Sequence, residues 1–182
     1  GGIVALSNKD TNFMVSSSQY GNFEINMNNG NTYWERINDV AYGLGVPQSD
    51  AGFITPMDLD PNRSQIAVLG YKDIFISKDI HKTLGDPTNY GFSQISNNTT
   101  SSKASFVKFS NKSTKIAFVG YDNGDMICIN KLDTILTSTP NLIAMNTPSL
   151  GGAIKSIETS YIDTNTLYIA TEQKVYKSTN RG

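Results

Sequence analysis

An all-β chain built from one repeated antiparallel unit is the fold class that this sequence predicts, and three observations carry the prediction. Helical periodicity is nearly absent, while short β-rich runs alternate with clusters of Asn, Asp, Gly and Ser. Four segments align without gaps: VALSNKDTNFMVSS from Val4, MDLDPNRSQIAVLG from Met57, VKFSNKSTKIAFVG from Val107 and ETSYIDTNTLYIAT from Glu158. The second runs in these segments start at Phe13, Ile66, Ile116 and Leu167, in steps of 53, 50 and 51 residues. A chain without internal repeats has no reason to keep that spacing.

The elements follow in a fixed order. Each unit opens with a first strand (IVAL, PMDL, FVKF, SIET) and a polar turn of Asp, Asn, Pro, Lys or Ser, which set or tolerate turn dihedrals. A second, almost wholly apolar strand comes next (FMVSS, IAVLG, IAFVG, LYIAT), and unbroken apolarity predicts burial on both faces. Hairpin tips YGN, YKD and YDNG supply the Gly, Asn and Asp that tight connections require, and lead to NFEIN, DIFIS, DMICI and KVYKS. A fourth strand is readable as YWERI, FSQIS and NLIAM, with none in the last unit. Four antiparallel strands per roughly 50 residues is the period of β-propeller blades. The expectation is one partial propeller over residues 1–182, with blades at about 1–38, 52–97, 104–147 and 153–182. The last blade is truncated, so about three and a half blades make an incomplete ring. An open arc exposes a sheet face and a strand edge. The remainder of the same chain or another subunit is therefore expected to complete it.

Composition removes several functions. Lys plus Arg number 15 against 16 for Asp plus Glu, so no single-sign field exists to attract nucleic acid or an anionic membrane. Charged residues are 17%, below the usual quarter, and Asn, Ser and Thr fill the gap as in turn-rich all-β and exported proteins. No apolar run approaches the roughly 20 residues of a membrane span, and GGIVALSNKD lacks the basic start and apolar core of a signal peptide. The single cysteine, Cys128 in MICIN, excludes a disulfide framework and reads as a buried small hydrophobe. The single histidine, His81, lies among turn residues, where a catalytic imidazole is not expected.

The turn after the third strand carries a second recurring pattern. Asn26-Met27-Asn28-Asn29-Gly30-Asn31-Thr32-Tyr33, Ser77-Lys78-Asp79-Ile80-His81-Lys82-Thr83-Leu84 and Ser178-Thr179-Asn180-Arg181-Gly182 share it. The third unit, Asn130-Lys131-Leu132-Asp133-Thr134, has lost it. These turns resemble the Asp-box, roughly Ser/Thr-x-Asp-x-Gly-x-Thr-Trp, of BNR-repeat, sialidase-like propellers, closest in style to large exported bacterial proteins. The resemblance covers essentially the whole chain. It implies a secreted or cell-surface location and a non-catalytic scaffold or recognition domain for a protein or glycan ligand. It also implies structural roles for Asn26, Asn28, Gly30, Thr32, Ser77, Asp79, Thr83, Ser178, Asn180 and Gly182. In such a turn an Asp or Asn side chain accepts backbone N–H groups while Gly takes a positive φ.

Catalytic parts are sparse. A sialidase clamps its substrate carboxylate with three arginines, and the three here (Arg36, Arg63, Arg181) fall at non-equivalent places in the repeat. The alternative, part of a propeller-type glycoside hydrolase, needs two carboxylates facing a cleft. Asp39 and Asp50, in NDVAYGLGVPQSDAGF, are weak candidates for that pair, and an ordinary loop explains them better. No cofactor is expected. Calcium is a minor possibility at Asp58 with Asp60 and at Asp122 with Asp125, where EF-hand spacing is lacking. A small Asp-box lectin is a third reading, with Tyr33, Trp34, Tyr42, Tyr90 and Phe92 as stacking surfaces. Sequons at Asn62, Asn97, Asn98 and Asn111 fall in predicted turns.

Overall fold

The computed structural model describes residues 2–31, 34–37, 45–83, 91–97, 101–135, 137–145 and 150–181. The fold is all-β. Four antiparallel sheets follow one another along the chain, and in each the consecutive strands pair as a meander. The first contains β1 (Val4–Leu6), β2 (Met14–Ser17), β3 (Phe23–Asn26) and β4 (Glu35–Ile37). The second contains β5 (Met57–Asp60), β6 (Arg63–Gly70), β7 (Ile74–Ser77) and β8 (Phe92–Gln94). The third contains β9 (Ala104–Phe109), β10 (Ala117–Tyr121), β11 (Met126–Asn130) and β12 (Asn141–Ala144). The fourth has β13 (Ile154–Thr159), β14 (Leu167–Thr171) and β15 (Val175–Ser178). Every strand overlaps a run that the sequence marks as β, and β5, β6, β9, β10, β11 and β13 extend one to three residues beyond theirs.

Cross-strand register fixes which residues are equivalent. Leu6 faces Met14, Leu59 faces Ala67, Phe109 faces Ala117 and Thr159 faces Leu167. The residues preceding these second-strand partners are Phe13, Ile66, Ile116 and Thr166, so the steps are 53, 50 and 50. The same first-to-second-strand bond closes three of the turns: Ser7 N–H to Phe13 O at 3.2 Å, Ser110 to Ile116 at 2.9 Å and Ser160 to Thr166 at 3.0 Å. The gapless alignment therefore slips by one residue in the last unit. Leu167 imitates the hydrophobicity of Ile116, but Thr166 occupies its place in the ladder.

Three apolar interfaces join the four sheets. Val15 and Ile25 of the first sheet meet Leu59 and Leu69 of the second. The opposite face of the second sheet, with Val68 and Ile76, meets Val107 and Val119. Phe118 and Cys128 then meet Ile157 and Ile169 of the fourth. First strands adjoin first strands, β1 by β5, β5 by β9 and β9 by β13, so they form the inner edge of the stack.

Burial on both faces, predicted for every second strand, holds only for the middle two. All of β10 and the last five residues of β6 are buried, whereas β2 and β14 alternate. The reason is that the first and fourth sheets each pack on one neighbour. Val4 and Leu6 stay 59% and 61% exposed on one outer face, and Tyr168 and Val175 stay 43% and 73% exposed on the other. Leu59, the counterpart of Leu6, is 4% exposed. Leaving Leu6 uncovered forgoes about 1 kcal/mol of transfer free energy.

Two tyrosines of the hairpin tips are core residues. Tyr71 lies in the β6–β7 connection and Tyr121 ends β10, both are fully buried, and Tyr71 packs edge-on against Phe75 with its hydroxyl donated to Gly21 O at 3.3 Å. His81 sits in a 3-10 turn (Ile80–Thr83), with its ring edge-on to Phe13 at 4.3 Å. Close approach explains two glycines. A Cβ on Gly70 would lie 2.5 Å from Ala104 Cβ, and one on Gly120 would lie 2.5 Å from Ile154 Cγ2. Gly70 ends β6 and Gly120 is the last residue but one of β10, each where the next sheet begins.

Candidate functional site

One end of the stack is closed by two sets of side-chain fasteners. The first set went unrecognised in the sequence. Asp60 ends its first strand, Ser7, Ser110 and Ser160 directly follow theirs, and each accepts the N–H groups two and three residues on. The distances are 3.1 and 2.8 Å at Ser7, 2.8 and 3.2 Å at Asp60, 3.3 and 3.1 Å at Ser110, and 3.0 and 3.2 Å at Ser160. A Ser or Asp stands fourth in the first three segments and third in the last, where the alignment is one residue late, which was the available signal.

The second set lies in the turns after the third strands. Asn26 is buried, and its Oδ1 accepts the N–H groups of Asn28 at 2.9 Å and Gly30 at 2.8 Å. Ser77 Oγ accepts from Asp79 N–H at 3.2 Å, and Ser178 Oγ from Asn180 N–H at 3.3 Å. The Ser178 hydroxyl is donated to Asn180 Oδ1 at 2.8 Å. The first residue of the pattern is thus the acceptor, an amide at Asn26 and a hydroxyl at Ser77 and Ser178. Asn28 contributes its carbonyl, which takes the Asn31 N–H at 2.9 Å.

The fourth residue ties this turn to the first one. Asn29 donates to Asn12 O at 3.0 Å, Leu132 to Lys115 O at 3.1 Å and Arg181 to Asn165 O at 2.9 Å. Asn29 and Arg181 have φ of +49° and +72°, and Gly30 follows at +76°. Register also shifts the third turn. Asn26, Ser77, Ile129 and Ser178 face equivalent second-strand residues, so that turn starts at Ile129 and not at Asn130. An isoleucine offers no acceptor, which is why the pattern is lost there. Thr32 and Gly182 lie outside the described residues, and Thr83 ends the 3-10 turn of the second sheet.

The inner edge carries an ionic row. Asp58, Lys108 and Glu158 occupy the same register position on β5, β9 and β13. Asp58 Oδ2 accepts the Phe109 N–H at 2.8 Å and Oδ1 its neighbour's, that of Leu59, at 3.0 Å. Burial nevertheless dominates, and pushes the Asp58 carboxyl up to about 6 against the lowering effect of these bonds and of Lys108. Lys108 Nζ lies 3.5 Å from Glu158 Oε2. Asn111 Nδ2 is donated to Glu158 Oε1 at 2.6 Å and to Thr159 O at 3.0 Å. That amide is occupied by the neighbouring sheet, so the sequon at Asn111 is not a free turn.

A carboxyl that titrates near 6 has the proton affinity of a general acid. Here, however, backbone N–H groups of β5 and β9 occupy both oxygens, and Glu158 is held by Lys108 and Asn111. Asp39 lies outside the described residues. Asp50 ends a 3-10 turn (Gln48–Asp50) and accepts from Ser49 Oγ at 3.4 Å, while its carbonyl takes the Lys72 N–H at 2.9 Å. The calcium candidates are engaged otherwise. Asp60 binds Arg63 at 2.6 Å, Asp122 accepts from Lys103 N–H at 3.2 Å and Asp125 from Asn123 Nδ2 at 2.7 Å. Among the described residues no group of three or more His, Cys, Asp or Glu comes together to hold a metal ion. Trp34 and Phe92 are half-buried, and Tyr33, Tyr42 and Tyr90 lie outside the described residues. Among the described residues no helix is long and apolar enough to cross a membrane.

No family model and no curated protein matches this chain. Solved structures do share the fold. The chain is similar to a GH74 xyloglucanase from Xanthomonas campestris, with TM-score 0.66 and 10% identity over 100% of this chain and 29% of that one. It is also similar to an ancestral GH74 enzyme, with TM-score 0.70 and 14% identity over 99% of this chain and 23% of that one. The chain thus spans less than a third of each of these neighbours.

Proposed function

We propose that this chain is an arc of blades from a larger β-propeller, acting as a non-catalytic extracellular recognition scaffold for a protein or glycan. The observation that carries the arc is the pair of outward sheet faces. Val4 and Leu6 at one end, and Tyr168 and Val175 at the other, are exposed where the three inner interfaces bury their counterparts. Further blades, from the same chain or another subunit, cover both faces and close the ring. The Asn26 and Ser178 turns support an Asp-box-like role as fasteners between the third and first turns of a blade. The engagement of Asp58 and Glu158 within the stack supports a non-catalytic segment. Sedimentation of the 182-residue chain, with dye binding to exposed apolar surface, tests the arc. Self-association or strong dye binding is expected. A monodisperse monomer that binds no dye and unfolds cooperatively overturns it.

A second reading is a segment of a propeller-type glycoside hydrolase, favoured by the likeness to GH74 structures over the whole chain. Reducing-end release from xyloglucan by the full-length protein, lost on substitution of a carboxylate within this segment, supports it over the scaffold. Retention by the polysaccharide in affinity electrophoresis without release supports the scaffold.

A further inference from the structure

At the fastener end the two junctions on either side of the third sheet differ. Between the second and third sheets Arg63 fills the gap. Its guanidinium bonds Asp60 at 2.6 and 2.8 Å, Thr114 O at 2.6 Å and Leu132 O at 2.9 Å. The counterpart of Arg63 in the third sheet is Ser113, since each donates its N–H to the fastener three residues before it. The counterparts of Thr114 and Leu132 in the fourth sheet are Thr164 and Arg181. Serine cannot span that gap. A cleft of about 600 Å³ stands open there, and Ser113, Thr164 and Arg181 are among its walls.

Its charge is one-sided. Lys115, Lys131 and Arg181 line it against a single acid, Asp133, which lies 3.3 Å from Lys115 Nζ. Neither Lys131 nor Arg181 makes an ion pair among the described residues. Arg181 is instead aimed by neutral groups, with Nε donated to Asn165 Oδ1 at 3.0 Å and a terminal nitrogen to Thr164 Oγ1 at 3.2 Å. Lys131 is held at φ +62°, in the turn opposite. Ser113, Asn130 and Thr134 add short polar groups, and buried Ile116 gives an apolar floor. Two uncompensated cations on facing sheets favour an anion, and the polar walls and apolar floor suit a hydroxylated ring.

We propose that this cleft binds an oxyanion, carried by an acidic sugar unit such as a uronate. The proposal rests on the recognition reading only for the class of ligand, because neutral xyloglucan lacks the anion and its failure to bind leaves the cleft untouched. The test is titration calorimetry of the full-length protein with galacturonate, inorganic sulfate and inorganic phosphate, with neutral galactose as control. Galacturonate is expected to bind with an affinity that falls as salt rises, and galactose is not. Lys131→Asn keeps a residue that tolerates positive φ, and is expected to weaken binding about tenfold or more. Ser110→Asp combined with Ser113→Arg rebuilds the Asp60–Arg63 pair at this junction, and is expected to refill the cleft without adding net charge and to abolish binding, with the melting temperature reported alongside. Galacturonate binding much tighter than that of sulfate or phosphate supports the sugar-borne anion, whereas equal binding of all three overturns that part and leaves a site for free oxyanions. No heat with any anion, or binding that both folded variants retain in full, overturns the site.

Discussion

Asp58 on β5 reaches across the second interface to take the Phe109 N–H of β9 at 2.8 Å, while burial holds its carboxyl near 6. The folded state therefore binds its proton more tightly than the unfolded chain does. Stability contributed by the protonated form is present at low pH and is lost as pH rises from about 4 to about 6. Chemical denaturation across that range is expected to show a fall of up to about 3 kcal/mol from this group, since two units of pKa correspond to that much. Asp58→Asn is expected to flatten the profile and to equal or exceed the parent in stability near neutral pH. An unchanged profile in the variant contradicts the assignment.

Arg63 joins Asp60 to two carbonyls of the next sheet. The Asp60 side chain is fully buried and that of Arg63 is 23% exposed, so removing the cation strands an acid. Arg63→Met is expected to cost about 2–4 kcal/mol in urea unfolding. Arg63→Lys is expected to recover only part, because a point ammonium cannot serve three acceptors with fork geometry. Full recovery by lysine sinks the bridging role.

Gly120, last but one in β10, lies against Ile154 with no space for a methyl group. Gly120→Ala is expected to destabilise by about 1–3 kcal/mol through overpacking. The corresponding position in the fourth sheet is already Ala170, on the strand whose outer face no described sheet covers. A neutral Gly120→Ala variant shows that the third and fourth sheets are not in this contact.

Cys128 faces the fourth sheet, and burial pushes its thiol up to about 11. The thiolate is the reactive form. In the native protein at pH about 8 a disulfide reagent is expected to leave Cys128 untouched, and to modify it fully once denaturant opens the sheets. Rapid native reaction means that the third interface is open.

Much of the fold was legible. The alternation of apolar runs with Asn, Asp and Gly turns placed every strand, because a strand's period and a turn's dihedral demands are local properties of the chain. The candidate site was less so. Asn26, Ser77 and Ser178 carry the recurring pattern, but nothing in it shows that a serine hydroxyl is the acceptor, and Ser7, Asp60, Ser110 and Ser160 carry no such pattern. A hydroxyl that caps a turn looks, in sequence, like any serine in a polar loop. Leu167 and Asn130 were each aligned one residue late, since similarity of side chains does not record hydrogen-bond register.

By itself the sequence determined the all-β class, the repeat near fifty residues and the strand order, all of which follow from short-range chemistry. Only the tertiary structure decided which faces are covered, that Asp58 sits in a dry interface, and that Ser113 leaves open the gap that Arg63 fills one sheet earlier. Those facts depend on what lies about fifty residues away, and no local pattern in the chain specifies a neighbour's surface.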